Sequence, residues 1–259
     1  MIEIENVKNE FEKYIKQFNP EEGRIKLKIE HIERVAEMSK ILAEKLNLNE
    51  EQIKLAETIG YCHDIGRFKQ AEIYNTFSDK NSINHAELSA KVLFEDGLIE
   101  KFKVEQKYYE IIKKAILNHN KYKIDDNLTD EELFFAKLIR DADKLDIYYT
   151  ICKYDFESIF WYKDFECKEI SSKIMNQFIY DHVINYKDVE NNADQIATFY
   201  AYIYDLNFDF SLEYLKNRKY LDKFTQRVKE HFSSEIIKKQ VDEILKISNE
   251  YMEKILNKL

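Results

Sequence analysis

Residues 24–46, RIKLKIEHIERVAEMSKILAEKL, decide the fold class. Their apolar side chains recur every three or four residues, so they fall close to one stripe of a helix that a core can bury. The stripe consists of Ile29, Ile32, Val35, Ala36, Ile41, Leu42 and Leu46. The pattern predicts a long amphipathic helix, and a capping box at 49–52 predicts the start of the next helix, which ends at Ile65-Gly66.

The same periodicity extends along the chain. It predicts further helices at 3–18, 84–96, 105–118, 130–149 and 233–257, aromatic-rich helices between 151 and 233, and a polar, aromatic loop at 67–83. No repeat and no Pro/Ser/Gly-rich linker interrupts the chain. We therefore predict an all-α fold in which residues 1–259 form a single helical domain.

Glycine and proline are scarce, with four glycines and one proline in 259 residues. Hairpins, sandwiches and phosphate-cradling loops depend on these residues for their turns. Glycines at 23, 60, 66 and 97 cannot form a P-loop or a G-x-G-x-x-G dinucleotide motif. The composition therefore favours long helices joined by short polar turns.

Charge and cysteine content indicate where the protein acts. The net charge is −9, the wrong sign for a protein that mainly grips nucleic acid polymers or an anionic membrane. The first ten residues lack the pattern of a signal peptide, and no apolar run is long enough to span a membrane. Three cysteines without C-x-x-C spacing are typical of reduced thiols, so we expect a cytoplasmic protein.

Four of the six histidines lie beside carboxylates or at predicted helix ends. His31 is in mid-helix, His63 precedes Asp64 in GYCHDIGRF, His85 opens a helix, and His119 closes another. An acidic cluster, LIRDADKLD, contains Asp141, Asp143 and Asp146. Imidazoles and carboxylates contributed by different helices are typical of metal sites in helical proteins. Each residue alone is more often an ordinary surface or core residue; the combination is what favours a metal site.

These residues resemble the H…HD…D signature of the HD superfamily of metal-dependent phosphohydrolases. The flanking strings HDIGRF, NHAELSA and ILNHN strengthen the resemblance, which covers about residues 24–150. It implies a helical bundle for this core, with residues 151–259 as an appended helical part.

The resemblance also implies the metal ligands, which are His31, His63, Asp64 and Asp143. In members with two metals, His85 and His119 bind the second ion and Asp64 bridges the pair. In members with one metal, these histidines face the substrate phosphate, so the resemblance gives Asp64, His85 and His119 catalytic roles. The donor set suits one or two divalent ions of Mn, Fe, Co, Ni or Zn. Asp141 and Asp146 are expected to be solvated or to cap a helix.

Candidate substrate-binding residues surround the proposed ligands. Arg34, Arg67 and Arg140 each lie three residues from a ligand, and a guanidinium fits a phosphate well. Pairing with nearby carboxylates is the alternative for each arginine. Lys144 is next to Asp143 and has the same alternative, and Tyr122 either stacks on a nucleobase or packs in the core. Phe68, Tyr74 and Phe77 either line such a pocket or pack in the core.

Three functions remain open at this point. The first is metal-dependent hydrolysis of a nucleotide or another small phosphoester. The second is a di-iron oxygenase, since some members of the superfamily use the same ligand set for O₂ chemistry. The third is a non-catalytic regulatory module, although such modules usually lack part of the ligand set. The expected partner is a small phosphorylated substrate, with no nucleic acid polymer and no membrane, and a homo-oligomer is compatible with the aromatic content of 151–210.

Overall fold

The protein is all-α, as predicted. The computed structural model describes residues 2–160 and 165–257, and within these ranges there is no strand. The α-helices are α1 (Ile4–Ile15), α2 (Gly23–Lys45), α3 (Glu50–Cys62), α4 (Gly66–Tyr74), α5 (His85–Ala90), α6 (Leu98–Lys101), α7 (Tyr109–His119), α8 (Asp130–Lys153), α9 (Phe156–Ile159), α10 (Ser172–Asn176), α11 (Asn192–Ala201), α12 (Asp209–Arg218), α13 (Tyr220–His231) and α14 (Glu235–Leu256). Short 3₁₀ segments lie at Asp79–Asn81, Gln106–Tyr108, Tyr186–Asp188 and Tyr202–Asp205, and π segments at Lys91–Glu95 and Gln177–Asp181.

The chain divides into two compact units, Met1–Asp146 and Ile147–Leu259. The division lies close to residue 150, where the sequence separates the core from the appended helices. That both parts fold as a single domain stays a prediction. Among the described residues, no helix combines the length and the apolar character that a membrane span requires.

Helices α2 and α3 form the centre of the first unit. The capping box predicted at the start of α3 is present: the Asn49 side chain accepts from the Gln52 backbone N–H, and the Gln52 side chain accepts from the Asn49 backbone N–H. Gly60 brings α3 against the backbone of α2, because a Cβ at this position would lie 2.9 Å from the Ala36 nitrogen and closer still to its Cα. The two backbones therefore approach each other more closely than a side chain at 60 would allow.

Gly66 allows a second close approach on the other side of His63 and Asp64. A Cβ at Gly66 would lie 2.7 Å from the Leu88 carbonyl carbon, and the Gly66 backbone N–H donates to Ser89 Oγ at 2.9 Å. The start of α4 is thus pressed against α5. Both glycines that flank the His-Asp pair serve close packing between backbones.

The expectation of a loop over 67–83 is wrong for its first half, which forms α4. Phe68 is fully buried, and its ring lies 5.8 Å from that of Phe18 and 6.2 Å from that of Tyr14. The helix ends at Tyr74, and the Asn75 that follows it has a left-handed backbone. Residues 67–74 show no clear amphipathic pattern because few side chains of this helix reach the core. For Phe68, core packing is the correct alternative.

The second unit has an aromatic core. Phe156, Phe160, Phe199 and Phe224 lie with ring centroids 5.0–6.1 Å apart in tilted or edge-to-face pairs, which are favourable geometries. Arg227 packs its guanidinium on Phe156 and donates to the carbonyl oxygens of Ile151 and Tyr154, near the carboxyl end of α8. These aromatic residues are therefore core residues of the second unit.

Candidate metal centre

Helix positions in the first unit bring the histidines and aspartates of the sequence motif together. His31 comes from the middle of α2, His63 and Asp64 follow the end of α3, and His85 is the first residue of α5. His119 is the last residue of α7, and Asp143 lies in α8. The four histidines and Asp64 are buried, each with at most 9% of its surface exposed.

A first group of ligand atoms lies between α2, α3 and α8. His31 Nε2 is 3.3 Å from Asp143 Oδ1 and 3.6 Å from Asp64 Oδ2. His63 Nε2 is 3.4 Å from His31 Nε2, 3.7 Å from Asp64 Oδ2 and 3.9 Å from Asp143 Oδ1. We call His31, His63, Asp143 and Asp64 Oδ2 the first group.

A second group uses the other oxygen of the same carboxylate. Asp64 Oδ1 is 3.4 Å from His85 Nε2 and 3.7 Å from His119 Nε2, and these two nitrogens are 3.0 Å apart. We call His85, His119 and Asp64 Oδ1 the second group. Asp64 therefore belongs to both groups, with one oxygen in each.

Hydrogen bonds fix which nitrogen of each imidazole carries a proton. Every Nδ1 lies within 2.5–2.7 Å of an oxygen that accepts but does not donate, so each Nδ1 is protonated. The four pairs are His31 with Asp146 Oδ2, His63 with the Gly60 carbonyl, His85 with Asp79 Oδ2, and His119 with the Ile116 carbonyl. Every Nε2 then faces the cluster, an orientation that metal-binding histidines adopt when outer partners hold them.

The donor set suits a cation. His85 Nε2 and His119 Nε2 lie 3.0 Å apart and both lie within 3.7 Å of Asp64 Oδ1, so the three atoms converge as the ligands of one cation do. Asp64 Oδ1 is buried and makes no hydrogen bond. A buried polar atom without a partner is costly, so its position beside two imidazole nitrogens fits an ion ligand. The cluster is compatible with a divalent metal ion.

The electrostatic environment keeps several of the ligand groups in the protonation state that binds a cation. Burial lowers the pKa of His63 to about 3, against the opposing charge of Asp64. Burial and the charge of Arg67 lower the pKa of His85 to about 4. Burial disfavours the charged form of Asp64, but Lys28 and the neighbouring cationic groups outweigh it and hold the pKa of Asp64 well below its usual value. At neutral pH these groups are two neutral imidazoles and one carboxylate.

His31 behaves differently from the other histidines. Burial and the charge of Lys28 lower its pKa, but hydrogen bonds to Asp143, Asp146 and Asp64 outweigh both and raise it to about 10. His31 therefore carries a second proton at neutral pH, on the nitrogen that faces the first group.

We expect metal binding at the first group to release about one proton per chain, because a metal ligand must give up the proton on its donor atom. Below the raised pKa of His31, metal affinity should increase about tenfold per pH unit as the pH rises. Titration calorimetry with Mn²⁺ in two buffers of different ionisation enthalpy measures the released protons. An affinity that stays constant across the neutral range would contradict the assignment.

Arg34 holds a carboxylate instead of facing the cluster directly. Its Nε donates to Asp146 Oδ1 at 2.6 Å and its Nη2 to Asp146 Oδ2 at 3.1 Å, while Asp146 holds His31 Nδ1. The expectation that Asp141 and Asp146 are solvated or cap a helix is wrong, since both lie within α8 and are 0% and 4% exposed. Arg34 thus pairs with a nearby carboxylate, as the alternative interpretation of the sequence expects, and it holds His31 through Asp146. Its role in substrate binding stays a prediction.

Arg140 makes its hydrogen bonds with backbone carbonyls. Its side chain is buried, and Nη1 donates to the carbonyl oxygens of Asn118, His119 and Lys121. These carbonyls lie at and beyond the carboxyl end of α7, where backbone acceptors lack helical partners. Arg140 therefore stabilises the end of the helix that carries His119, and this geometry does not support substrate binding.

Arg67 and Lys28 are the cations nearest the shared carboxylate. Arg67 Nε lies 3.6 Å from Asp64 Oδ1 and is buried without a hydrogen-bond partner. Lys28 Nζ donates to Asp64 Oδ2 at 2.9 Å. The sequence motifs did not identify Lys28, although it stands three residues before His31 and the spacing used for the arginines applies to it equally.

The remaining predicted residues stay predictions. Lys144 is 5% exposed and follows Asp143 on α8, whereas Tyr122 is 66% exposed just beyond α7. Tyr74 is 44% exposed, and Phe77 contributes its backbone carbonyl as an acceptor for Arg67. Neither stacking on a base nor a contact with phosphate follows from these positions alone.

A comparison with protein families agrees with this geometry. The sequence model of the HD domain family matches residues 29–148. The protein contains an HD domain. The resemblance drawn from the sequence over residues 24–150 is thereby confirmed, and the HD domain includes all six residues of the two groups. No curated protein and no solved structure matches the chain.

Proposed function

We propose that the HD domain of this protein is a metal-dependent phosphohydrolase that acts on a nucleotide or another small phosphoester. His31, His63, Asp143 and Asp64 hold one divalent ion. Asp64, His85 and His119 hold a second. The observation that carries the proposal is the division of the cluster into two groups that share Asp64, with a cationic side chain beside each of its oxygens.

The side chains around Asp64 suit an anionic substrate. A divalent ion at such a site acidifies water to supply a nucleophile near neutral pH and neutralises charge on a phosphate. Lys28 and Arg67 add two fixed positive charges on opposite oxygens of Asp64. Both side chains keep part of their surface exposed, 20% and 15% respectively, so neither is closed off from solvent. Preorganised charges in a largely buried site stabilise developing negative charge more strongly than the same charges do in water.

Arg67 is held in a defined orientation for this role. Its Nη1 donates to Gln70 Oε1, to the Phe77 carbonyl and to Asp79 Oδ1 at 2.5–2.9 Å. These three acceptors share the two N–H bonds of Nη1 and restrain the plane of the guanidinium, with Nε 3.6 Å from Asp64 Oδ1. A guanidinium whose orientation is set before substrate arrives loses little freedom on binding.

Activity measurements on purified protein test the proposal. With Mn²⁺ or Co²⁺ added, we expect hydrolysis of at least one member of a panel of phosphomonoesters, phosphodiesters and nucleotides, and loss of that hydrolysis on chelation. Lys28→Met should raise KM for the same substrate, with Lys26→Met, an exposed neighbour on α2, as the matched control.

The same ligand set is compatible with a different reaction. Tightly held iron, consumption of O₂ and no turnover across the panel would reject hydrolysis in favour of a di-iron oxygenase. Full metal loading with neither reaction would indicate a regulatory module.

A further inference from the structure

Asp79 lies in the connection between α4 and α5 and accepts hydrogen bonds from three residues around the site. Its Oδ2 accepts from His85 Nδ1 at 2.5 Å, and its Oδ1 accepts from Arg67 Nη1 at 2.9 Å and from Gln70 Nε2 at 3.0 Å. Asp79 is not among the residues of the HD signature. It nevertheless joins a histidine of the second group to the arginine beside Asp64.

The position of Asp79 is itself determined by a buried side chain. Gln70 is fully buried on α4, and its Nε2 also donates to Ser82 Oγ and to the Ile83 carbonyl, both at 2.9 Å. These bonds tie both ends of the 79–83 segment to α4. Asp79 is therefore anchored although its side chain is one-third exposed.

His85 depends on Asp79 because of its place in the helix. His63 and His119 stand at carboxyl ends of helices, so their Nδ1 atoms reach a backbone carbonyl three residues earlier in the same helix. His85 is the first residue of α5, where no preceding helical turn offers such a carbonyl. Its Nδ1 lies 2.5 Å from Asp79 Oδ2. Asn120 Nδ2 lies 3.4 Å from the same Nδ1, but it is a donor and cannot accept the Nδ1 proton.

We propose that Asp79 is a positioning residue that determines whether the second group binds a metal ion, and hence whether the chain holds one ion or two. The proposal rests on the metal ligands of the proposed function and not on the reaction. With Asp79 present, His85 presents its Nε2 lone pair to Asp64 Oδ1 and His119. Without it, the imidazole can rotate or take the other tautomer, and the second group loses a ligand. Outer partners of metal-bound histidines typically contribute 10–100-fold in metal affinity.

The experiment is metal binding by Asp79→Asn. Mn²⁺ titration followed by elemental analysis should give two ions per wild-type chain and one per variant chain at the same free Mn²⁺ concentration. Affinity for the second ion should fall about 10–100-fold. The Mn²⁺ electron paramagnetic resonance spectrum should change from that of a coupled pair to that of an isolated ion, a change that a general loss of stability does not produce.

Two controls make the result specific. Asp126→Asn removes a carboxylate from an exposed ion pair with Lys123 and should leave two ions bound. Retention of the first ion by Asp79→Asn shows that the variant has folded. Two ions bound by Asp79→Asn with wild-type affinity would overturn the proposal, and so would a single ion in the saturated wild-type protein. Two ions in the wild type without any hydrolysis would instead reject the phosphohydrolase and leave the role of Asp79 standing.

Discussion

Asp64→Asn is expected to lose both metal ions and at least about a thousandfold in hydrolytic activity, because charge stabilisation by a metal is worth several kcal/mol. Asp64 is the one residue that supplies an oxygen to each group of ligands. An asparagine keeps the size of the side chain but offers one neutral oxygen and an NH₂ that cannot bind a metal ion. The two groups should therefore fail together.

Elemental analysis, activity and far-ultraviolet circular dichroism of the same preparation check this result. His63→Ala should empty the first group in the same way, and both variants should keep a helical spectrum because Gly60 and Gly66 still pack the turn. Asp126→Asn again serves as the control for removal of a carboxylate. Full metal content in Asp64→Asn would show that the cluster has been assigned wrongly.

Gly60→Ala is expected to destabilise the protein by about 3 kcal/mol or more, at the upper end for overpacked cores. The new methyl group would meet the backbone of Ala36, which cannot move without shifting α2 and His31 with it. Gly66→Ala should act similarly against the backbone of Leu88 and Ser89. For a chain of this size, a loss of about 3 kcal/mol lowers Tm by roughly 6–12 °C.

Gly23→Ala is the matched control for both variants. No atom lies within 4 Å of a Cβ at this position, which begins α2. The same chemical change should therefore leave Tm unchanged or raise it slightly, since alanine restricts the unfolded chain. Equal Tm values for Gly23→Ala and Gly60→Ala would show that the close approach between α2 and α3 does not limit stability.

Much of the candidate site follows from local sequence because helix ends and helix faces have local signals. The His63-Asp64 pair between two glycines, His85 after an asparagine cap and His119 before Asn120 all mark ends of helices. The spacing of apolar residues in α2 places His31 near the core. Such signals place each residue on its own helix. The resemblance to the HD superfamily supplied the pairing between helices.

The contacts that could not be predicted are those between distant parts of the chain. Asp146 meets His31 and Arg34 across more than a hundred residues, and Arg140 turns toward the end of α7. The i, i+3 spacing places each of these arginines on the same helix face as a proposed ligand. The acceptor that each guanidinium binds is determined by the carbonyls and carboxylates that neighbouring helices place beside it. Helix α4 was missed for a related reason, because Phe68 meets its partners on α1 and beyond only in the folded chain.

The four imidazole hydrogen bonds have a consequence for how such a site can evolve. Each group pairs one histidine held by a backbone carbonyl, His63 or His119, with one held by a side-chain carboxylate, His31 or His85. A backbone carbonyl accepts the imidazole hydrogen bond whatever residue stands at its position, unless a substitution distorts the helix. A carboxylate acceptor is removed by a single amino-acid substitution. Each group of ligands thus has one histidine whose acceptor does not depend on a side chain and one whose acceptor does. A single substitution of Asp79 can therefore weaken metal binding at the second group without changing the ligands of the first. A substitution of Asp146 can weaken the first group in the same way.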